Sequence, residues 1–227
     1  MKTKNIQMSE SLVVGLLLAS VGGFLESYSF LSRDGVFANC QTGNLVLLAM
    51  YLVKGDWARV LSYFIPVVSF IIGVVLTEIT RIYANHHKLH WRQYIILLEA
   101  ALLAAVGLIP SGEGNFIATT LIAFSCSMQV DAFRKVKGSV YATTMCTGNL
   151  RSGTFQLFQH LIEKDTASLK RAGNYFAIIT VFMAGAILGS LTTGIWGEKA
   201  IWLSCLILLF VFTLLFIQPE EQEETIE

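Results

Sequence analysis

The sequence predicts an all-α, polytopic membrane bundle of six transmembrane helices and two re-entrant half-helices, arranged as two inverted repeats. Three observations predict this fold. The 227 residues have a mean hydropathy of +0.62, and only 14% of them are charged, against roughly 25% in an ordinary soluble domain. Six apolar stretches are long enough to cross a bilayer. Two shorter stretches begin with the same three residues, which suggests a duplication.

The six long stretches lie at 11–31, 61–84, 92–110, 115–133, 172–195 and 199–217. The first follows two lysines as a signal peptide would, but no small-residue cleavage site follows it, so we interpret it as the first transmembrane helix. Residues 1–217 then form one integral membrane domain, with repeats at about 11–110 and 115–217. The last ten residues hold five of the sixteen acidic residues and no base, which predicts an acidic cytoplasmic tail over 218–227.

The two shorter stretches, 43–53 and 148–162, would rise only about 17 and 23 Å as helices, against a hydrocarbon core of ~30 Å. Each follows some ten irregular residues, which are long enough when extended to reach the middle of a bilayer. They begin with Thr42-Gly43-Asn44 and Thr147-Gly148-Asn149, 105 residues apart. The same offset superimposes Glu26 on Asp131, one helix earlier in each half. The sequence therefore predicts two half-helices in equivalent positions of a duplicated chain.

Lysine and arginine counts give the topology, because basic loops stay cytoplasmic. If both short segments turn back to the side they came from and the N-terminus is inside, eleven bases lie inside and four outside, with Arg151 not counted. If both segments cross, the counts are seven and eight, which is no bias. The re-entrant arrangement is therefore favoured, with both termini cytoplasmic. Three crossings in each half then make the two halves inverted relative to each other.

Inversion predicts that the two half-helices point their N-termini at one another near the bilayer midplane. A helix N-terminus carries unpaired N–H groups and a partial positive charge, and we expect Thr42 and Thr147 to cap the two ends. Irregular backbone at this depth requires a cavity or a protein environment. The candidate substrate-binding residues are therefore Thr42, Gly43, Asn44, Thr147, Gly148 and Asn149, around a site for an anion or polar solute. The alternative is two capped helices that are simply packed inside the bundle.

Charged residues near these segments are further candidates, because ionisable groups inside a membrane are usually functional. Arg151 lies one turn into the second half-helix and needs a partner. A carboxylate at Glu26, Glu78, Glu99 or Asp131, or an anionic ligand, would serve. The alternative is that Arg151 extends to the cytoplasmic interface. Glu26 is a candidate gate or proton relay, whereas Asp131, beside Arg134, also fits an ordinary ion pair.

The remaining patterns are weaker. We interpret Cys40, Cys126, Cys146 and Cys205 as buried free thiols. Three histidines at 86, 87 and 90 fit a solvated loop better than a metal site, so we expect no metal and no cofactor. The small residues of the first and fifth long stretches permit close packing within a bundle or a homodimer. No phosphate-binding loop, metalloprotease or nucleophile motif is present, so no enzymatic activity is expected. No basic stripe supports nucleic-acid binding.

Several of these stretches together resemble the YoaK-like family of uncharacterised bacterial multi-pass membrane proteins. The resemblance covers nearly the whole chain. It is carried by GGFLES at 22–27, GVF at 35–37, QTGN at 41–44, MQ at 128–129, FRK at 133–135 and ATTMCTGNL at 142–150. The resemblance implies a multi-pass protein of the bacterial cell membrane. It implies no catalytic or binding residues.

These observations favour a membrane channel or secondary transporter for a small anion or polar solute. The predicted site lies between the two half-helix N-termini, with Arg151 and Glu26 setting its charge. Its expected surroundings are membrane lipid and either a single bundle or a homodimer. The alternative function is a structural or regulatory multi-pass membrane protein that transports nothing. A water-accessible cavity between the two Thr-Gly-Asn starts would favour transport, and a dry midplane would favour the alternative.

Overall fold

The computed structural model describes residues 7–83 and 89–217, and within these ranges the chain is mostly helical. Each predicted apolar stretch overlaps one helix. Residues 84–88, which include His86 and His87, and the acidic tail at 218–227 lie outside the described residues. The helices are α1 (Leu12–Ser32), α2 (Gln41–Lys54), α3 (Trp57–Tyr83), α4 (Trp91–Val106), α5 (Asn115–Ala132), α6 (Cys146–Glu163), α7 (Thr166–Trp196) and α8 (Trp202–Leu214).

Two additions modify the predicted all-α fold. A two-stranded antiparallel hairpin, Lys135–Val136 with Ser139–Val140, lies between α5 and α6. Its turn contains Lys137 and Gly138, both at positive φ, as a tight hairpin turn requires. The second addition is a short 3-10 helix, Gly197–Ile201, which joins α7 to α8.

Helix ends meet at two opposite faces of the bundle. At the first, called face A, the Arg33 guanidinium after α1 donates to the carbonyls of Val106 and Ile109 after α4 and to Asn115 at the start of α5. The end of α7 joins them, because the Tyr28 hydroxyl donates to the carbonyl of Glu198 at 2.9 Å. Face A therefore collects the ends of α1, α4 and α7.

The opposite face, called face B, collects one end each of α1, α3, α4 and α5. Arg92 at the start of α4 donates from Nε to the carbonyl of Ala132 at the end of α5, at 2.9 Å. The Lys137 N–H donates to the carbonyl of Glu10, just before α1, at 2.8 Å. Arg134 after α5 also pairs with Glu78 near the end of α3. Helices α1, α3, α4 and α5 therefore each run between the two faces.

Helices α2 and α6 begin in the interior rather than at a face. The chain before α2 returns from face A along α1, and the Asn39 side chain donates to the carbonyl of Gly22, ten residues into that helix, at 3.0 Å. The chain before α6 approaches from face B and reaches the same place. A Cβ atom on Gly22 would lie 3.1 Å from the Thr143 carbonyl oxygen and 2.9 Å from a methyl group of Thr144. Both helices therefore begin about midway along α1, and their first turns are called the half-helix starts. Helix α6 itself, with 18 residues, is as long as α5.

The helix packing has the pattern that a duplication produces. The first half contains α1 to α4 and the second contains α5 to α8. Helix α1 packs on α7, and its counterpart α5 packs on α3, the counterpart of α7. Likewise α2 packs on α3 as α6 packs on α7, and α4 contacts α8. If each helix is replaced by its counterpart in the other half, α1–α7 becomes α5–α3, α2–α3 becomes α6–α7, and α4–α8 is unchanged. This packing supports the predicted repeat.

The distribution of apolar side chains is that of a membrane protein. Three segments are long and apolar enough to cross a membrane by length and composition: Leu12–Ser32, Trp57–Tyr83 and Thr166–Leu214, which joins α7 to α8. The outer faces of α3, α7 and α8 expose large apolar residues, such as Ile72, Leu191 and Phe210. Exposed apolar surface on this scale is costly in water and suits lipid contact. Helix α1, in contrast, is mostly buried at the centre.

Candidate functional site

The asparagines of the two repeated Thr-Gly-Asn motifs are buried and make equivalent hydrogen bonds. Asn44 Nδ2 donates to the carbonyl of Phe37 at 2.7 Å, and Asn149 Nδ2 donates to the carbonyl of Ala142, also at 2.7 Å. In each case the acceptor lies seven residues earlier, in the chain that leads to the half-helix. Each asparagine therefore fixes the irregular segment against its own helix, which satisfies backbone groups that the bundle interior would otherwise leave unpaired.

The threonines do not cap the half-helices, so that prediction is wrong. The N-cap residues are Cys40 and Met145, and neither makes a side-chain capping bond. Their backbone angles are alike, with φ −85° and ψ 80° at Cys40 and φ −106° and ψ 79° at Met145. Thr42 and Thr147 lie inside the first turn and are exposed. A cap requires a residue just before the first turn, and the helices begin one residue before these threonines.

A carboxyl group lies beside the start of α2 and bonds to the chain just before the helix. One oxygen of Glu26 accepts the Asn39 N–H at 3.1 Å, and the Cys40 N–H also bonds to this side chain. The carboxyl group of Glu26 therefore lies beside the start of α2, where the helix dipole favours its ionised form. The protein thus places an acidic group of its own at the first half-helix start.

The predicted equivalence of Glu26 and Asp131 is wrong. The capping residues after α1 and α5 are Arg33 and Phe133, with φ of −135° and −119°, and their N–H groups bond to Ser29 and Gln129. The offset is therefore 100 in these helices and becomes 105 only at the half-helices, because the second connection contains the additional hairpin. At an offset of 100, Glu26 corresponds to Cys126. The second half has no carboxylate in the equivalent position.

The start of α6 is accordingly more open. No side chain caps it, and Thr147 and Gly148 are exposed while Asn149 is buried. In the first half, Thr42 is exposed, Gly43 is partly buried and Asn44 is buried. The six predicted residues therefore lie at the two half-helix starts that approach Gly22, as expected. Within each motif the asparagine points into the protein, whereas the threonine faces outwards.

Arg151 lies in the second turn of α6, with an exposed side chain. Among the described residues, no carboxylate lies within ion-pair distance of it. Three of the four proposed partners have other neighbours: Glu26 bonds to the chain before α2, Glu78 pairs with Arg81 and Arg134, and Asp131 lies 3.6 Å from Arg134. Arg151 therefore stays available for a ligand, a lipid or the interface.

Glu99 is the most enclosed acidic group in the described chain. It is 0% exposed in the middle of α4, and neither carboxyl oxygen has a hydrogen-bond partner within the described structure. The residues around it belong to the apolar core shared by α1, α4, α5 and α8. Cys126 of α5 lies close enough to both Glu99 and Glu26 to interact electrostatically with each of them.

The four cysteines are free thiols, but their burial differs from the prediction. Cys126 and Cys205 are buried, Cys146 is half-buried and Cys40 is exposed. Cys40 was expected to be buried because it lies close to an apolar run. Its position as the N-cap of a half-helix, rather than inside a helix, turns it outwards.

The small residues of α1 and α7 pack against each other within the chain. A Cβ atom on Gly23 would overlap the carbonyl oxygen of Phe182, and one on Gly185 would overlap that of Ser20. A Cβ on Gly189 would lie 2.6 Å from the Phe24 carbonyl oxygen. These glycines let the two backbones touch, and they hold α1 beside α7 at the depth of the candidate site.

Two cavities that the sequence did not suggest lie at the faces of the bundle. One, of about 380 Å³, opens at face B near Asp131 and Arg134. The other, of about 340 Å³, opens at face A beside Arg33 and Arg59. None of the six half-helix residues lines either cavity. In the sequence, the only indication of the face A cavity is that Arg33 and Arg59 both lie in short polar segments.

Comparison with known families supports the resemblance at family level. Residues 14–214 match a family described as a protein of unknown function (DUF1275). This stretch includes every helix from α1 to α8, and the match agrees with the resemblance to YoaK-like proteins. No curated protein and no solved structure matches the chain.

Proposed function

Since the chain belongs to the DUF1275 family, whose function is unknown, we propose from its geometry that it is a channel or secondary transporter for a small anion or polar solute. It lies in the bacterial cell membrane with both termini cytoplasmic. Helices α1, α3, α4, α5, α7 and α8 cross the membrane. Helices α2 and α6 enter from opposite sides, with face A outside and face B inside.

The observation that carries this proposal is the approach of the starts of α2 and α6 to one residue, Gly22, from opposite faces. Discontinuous helices whose ends meet at the midplane are typical of the substrate sites of transporters. A closed structural bundle does not require irregular backbone at this depth, because continuous helices satisfy all of their own hydrogen bonds. The duplicated packing of the helices supports the same proposal.

The charge at the meeting point favours an anion over a cation. Each half-helix presents the positive end of its dipole, and Arg151 adds a full positive charge one turn into α6. Glu26 already neutralises the start of α2. The substrate therefore binds at the uncapped start of α6, close to Thr147 and Gly148, and Glu26 marks the position that a second anion would take.

The alternative function, a structural or regulatory membrane protein, is favoured by one observation. Both described cavities end at the faces, and neither contains a residue of the Thr-Gly-Asn motifs. In the transport proposal, the site at the half-helix starts is separate from these two cavities. In the alternative, the half-helices serve only to pack the bundle.

A proteoliposome flux assay separates the two functions. Purified protein is reconstituted, and the uptake of chloride, nitrate, formate and acetate is compared with that of urea and glycerol. We expect uptake of at least one solute above that of empty liposomes. If it is an anion, Arg151→Ala should reduce the flux strongly, whereas Arg171→Ala, which removes an exposed base near the start of α7, should not.

The Glu26→Gln variant provides a second readout. It keeps a hydrogen-bond acceptor for Asn39 but removes the negative charge at the start of α2, so anion affinity should rise. No flux for any solute, with protein that is folded and correctly oriented, would favour the structural alternative. If neither Arg151→Ala nor Glu26→Gln changes the flux, the solute does not pass the half-helix starts.

Topology is tested by cysteine labelling in a variant without native cysteines. Single cysteines at Asp34 and Asp56 flank α2 on its two sides. Because a re-entrant α2 returns to the face from which the chain entered, an impermeant maleimide should label both cysteines from outside intact cells. Labelling of one of them only after permeabilisation would show that α2 crosses the membrane, and the inverted arrangement would then be wrong.

A further inference from the structure

The cavity at face A contains a buried cation that has no counter-ion in the described structure. Arg33 is 0% exposed and lines this cavity together with Arg59, Ser62, Tyr63, Asn115 and Thr119. The volume, about 340 Å³, lies at the lower end of the range for small-molecule sites, roughly 300–1,000 Å³.

The hydrogen bonds of Arg33 leave one of its three nitrogens, Nε, without an acceptor in the described part of the chain. Nη1 donates to Asn115 Oδ1 at 3.1 Å, and Nη2 donates to the Tyr28 hydroxyl at 2.9 Å and to the carbonyls of Val106 and Ile109 at 3.2 and 2.9 Å. Every one of these acceptors is neutral. The Nε–H is buried and has no acceptor among the described residues.

A guanidinium in this position needs compensation. Arginine keeps its charge at any physiological pH, and a buried charge without a partner is strongly unfavourable. The carbonyls at the end of α4 compensate it in part, because a helix C-terminus attracts a cation. Glu198 is close enough to interact electrostatically with Arg33, but its carboxylate bonds to the Ser111 N–H at 3.1 Å instead.

Two further groups make the cavity positive. Arg59 is held at its mouth by Tyr51, whose hydroxyl accepts from Nη1 at 2.7 Å and whose ring lies 5.0 Å from the guanidinium. Its Nε also lies 3.7 Å from Asp56 Oδ2, in an exposed ion pair that leaves the two Nη groups free of carboxylates among the described residues. Helix α5 begins at the cavity with Asn115, after Gly114, and no side chain caps it. Asp34 is the one acidic lining residue, and it is exposed. The described lining therefore has two bases, one acid and a positive helix end.

From these contacts we infer that the face A cavity binds an oxyanion, a phosphate or carboxylate group, between Arg33, Arg59 and the start of α5. The oxyanion accepts the unused Nε–H of Arg33 and a donor of Arg59, and the hydroxyl of Tyr63 is a further donor on the wall. The volume exceeds that of one phosphate group, so the anion can carry an organic substituent. A soluble anion and a lipid headgroup share this chemistry.

The inference does not rest on transport, because this cavity is separate from the half-helix starts. It is tested with inorganic phosphate on the purified full-length protein in detergent, at constant ionic strength with potassium chloride. Binding is followed by ³¹P NMR line broadening. In a second arm, nanodiscs made with phosphatidylglycerol or with phosphatidylcholine alone are compared by the lipid retained after purification.

The variants are chosen to separate binding from folding. Arg59→Gln changes a partly exposed side chain, so the protein should still fold. Lys199→Gln is the matched control, because it removes one exposed positive charge on the same face but outside the cavity. We expect Arg59→Gln to weaken phosphate binding by about tenfold or more, as the loss of a charge-assisted hydrogen bond does, and Lys199→Gln to change it less than twofold. Arg33→Lys should also weaken binding, because lysine has no equivalent of Nε.

Each outcome decides the proposal. Phosphate binding that Arg59→Gln weakens supports a soluble anion. Retention of phosphatidylglycerol, lost in Arg59→Gln and kept in Lys199→Gln, supports a lipid headgroup in the same cavity. Absence of binding in both arms, or equal effects of the two variants, would overturn the inference. If the protein binds phosphate but gives no flux of any solute in proteoliposomes, the transport proposal is wrong and the binding site at face A is still supported.

Discussion

Replacing Gly185 with alanine should separate the two helices at the centre of the bundle. Gly185 lies in α7 against α1, and a Cβ atom there would overlap the carbonyl oxygen of Ser20 and lie 2.8 Å from its carbonyl carbon and Cα. Carbon atoms prefer separations of about 3.5 Å or more, so the two carbon contacts alone require a displacement of about 0.7 Å, and the closer overlap with the oxygen requires more. The contact is with backbone, and no side-chain rotation can relieve it.

The expected cost follows from two opposing terms. Overpacking of this kind costs about 1–3 kcal/mol, and alanine recovers up to about 1 kcal/mol because it favours the helix over glycine. The net destabilisation should therefore be about 1–2 kcal/mol. Gly194→Ala is the matched control on the same helix, because no atom lies within 4 Å of the new Cβ. Only the helix-propensity gain applies there, so this variant should be slightly more stable than the wild type.

The assay is reversible unfolding in mixed detergent micelles with increasing sodium dodecyl sulfate, followed by far-ultraviolet circular dichroism. Gly185→Ala should unfold at a lower detergent fraction than the wild type, and Gly194→Ala at the same or a higher one. If both variants unfold at the same point, α1 and α7 do not touch through their backbones. The approach of the two half-helices to Gly22 would then also be in doubt, because it depends on the position of α1.

Three further predictions concern the half-helix starts and the ends of other helices. Asn44→Ala and Asn149→Ala should each destabilise the protein by about 1–3 kcal/mol, because a buried backbone carbonyl loses its donor. Equal effects of the two variants in the same unfolding assay would support the repeat. An effect of only one variant would contradict it. The Ser168 hydroxyl and the N–H groups of Ala167 and Ser168 lower the pKa of Asp165 below its ordinary value of 3.8. The stability gained from this ionised cap is therefore present above pH 3.8 and lost as the pH falls through the lower value, and Asp165→Asn should abolish that part of the acid dependence of the melting temperature. Finally, a membrane-permeant maleimide should modify the exposed Cys40 in the folded protein, but the buried Cys126 only after unfolding. Modification is measured by mass spectrometry. Rapid modification of Cys126 in the folded protein would contradict the packing of α5.

The sequence predicted the helices well because their signal is local. An apolar run specifies its own hydrogen bonds and its own depth, so stretches such as 115–133 and 172–195 correspond closely to α5 and α7. The two short segments were also identified by length alone, and α2 and α6 overlap them. Capping was predicted less well. Threonine is a good N-cap in general, but Cys40 and Met145 occupy the positions instead, because Asn44 and Asn149 already fix the preceding chain.

Features that depend on distant residues were not predictable. Arg33 looked like an ordinary loop base, since nothing in its neighbourhood indicates that it contacts residues 73 to 82 positions away. The alignment of Glu26 with Asp131 failed because one constant offset cannot describe two connections of different length. The hairpin at Lys135–Val140 provides the difference, and its two-residue strands are too short to produce a pattern in the sequence.

The correspondence of the halves sets a limit on how the protein works. Equivalent asparagines, similar N-cap angles and exchanged helix contacts make the two half-helix starts alike in their backbone. Their charges differ, because Glu26 faces α2 whereas its counterpart, Cys126, supplies no charge to α6, and Arg151 in α6 corresponds to Val46 in α2. In the proposed function, an anion that reaches the midplane therefore meets one helix end beside a carboxyl group and one positive helix end. Binding should be one-sided, and Val46→Arg together with Glu26→Gln should add a second anion site at α2. If the double variant binds or transports anions no better than Glu26→Gln alone, the charges at these helix ends do not select the solute.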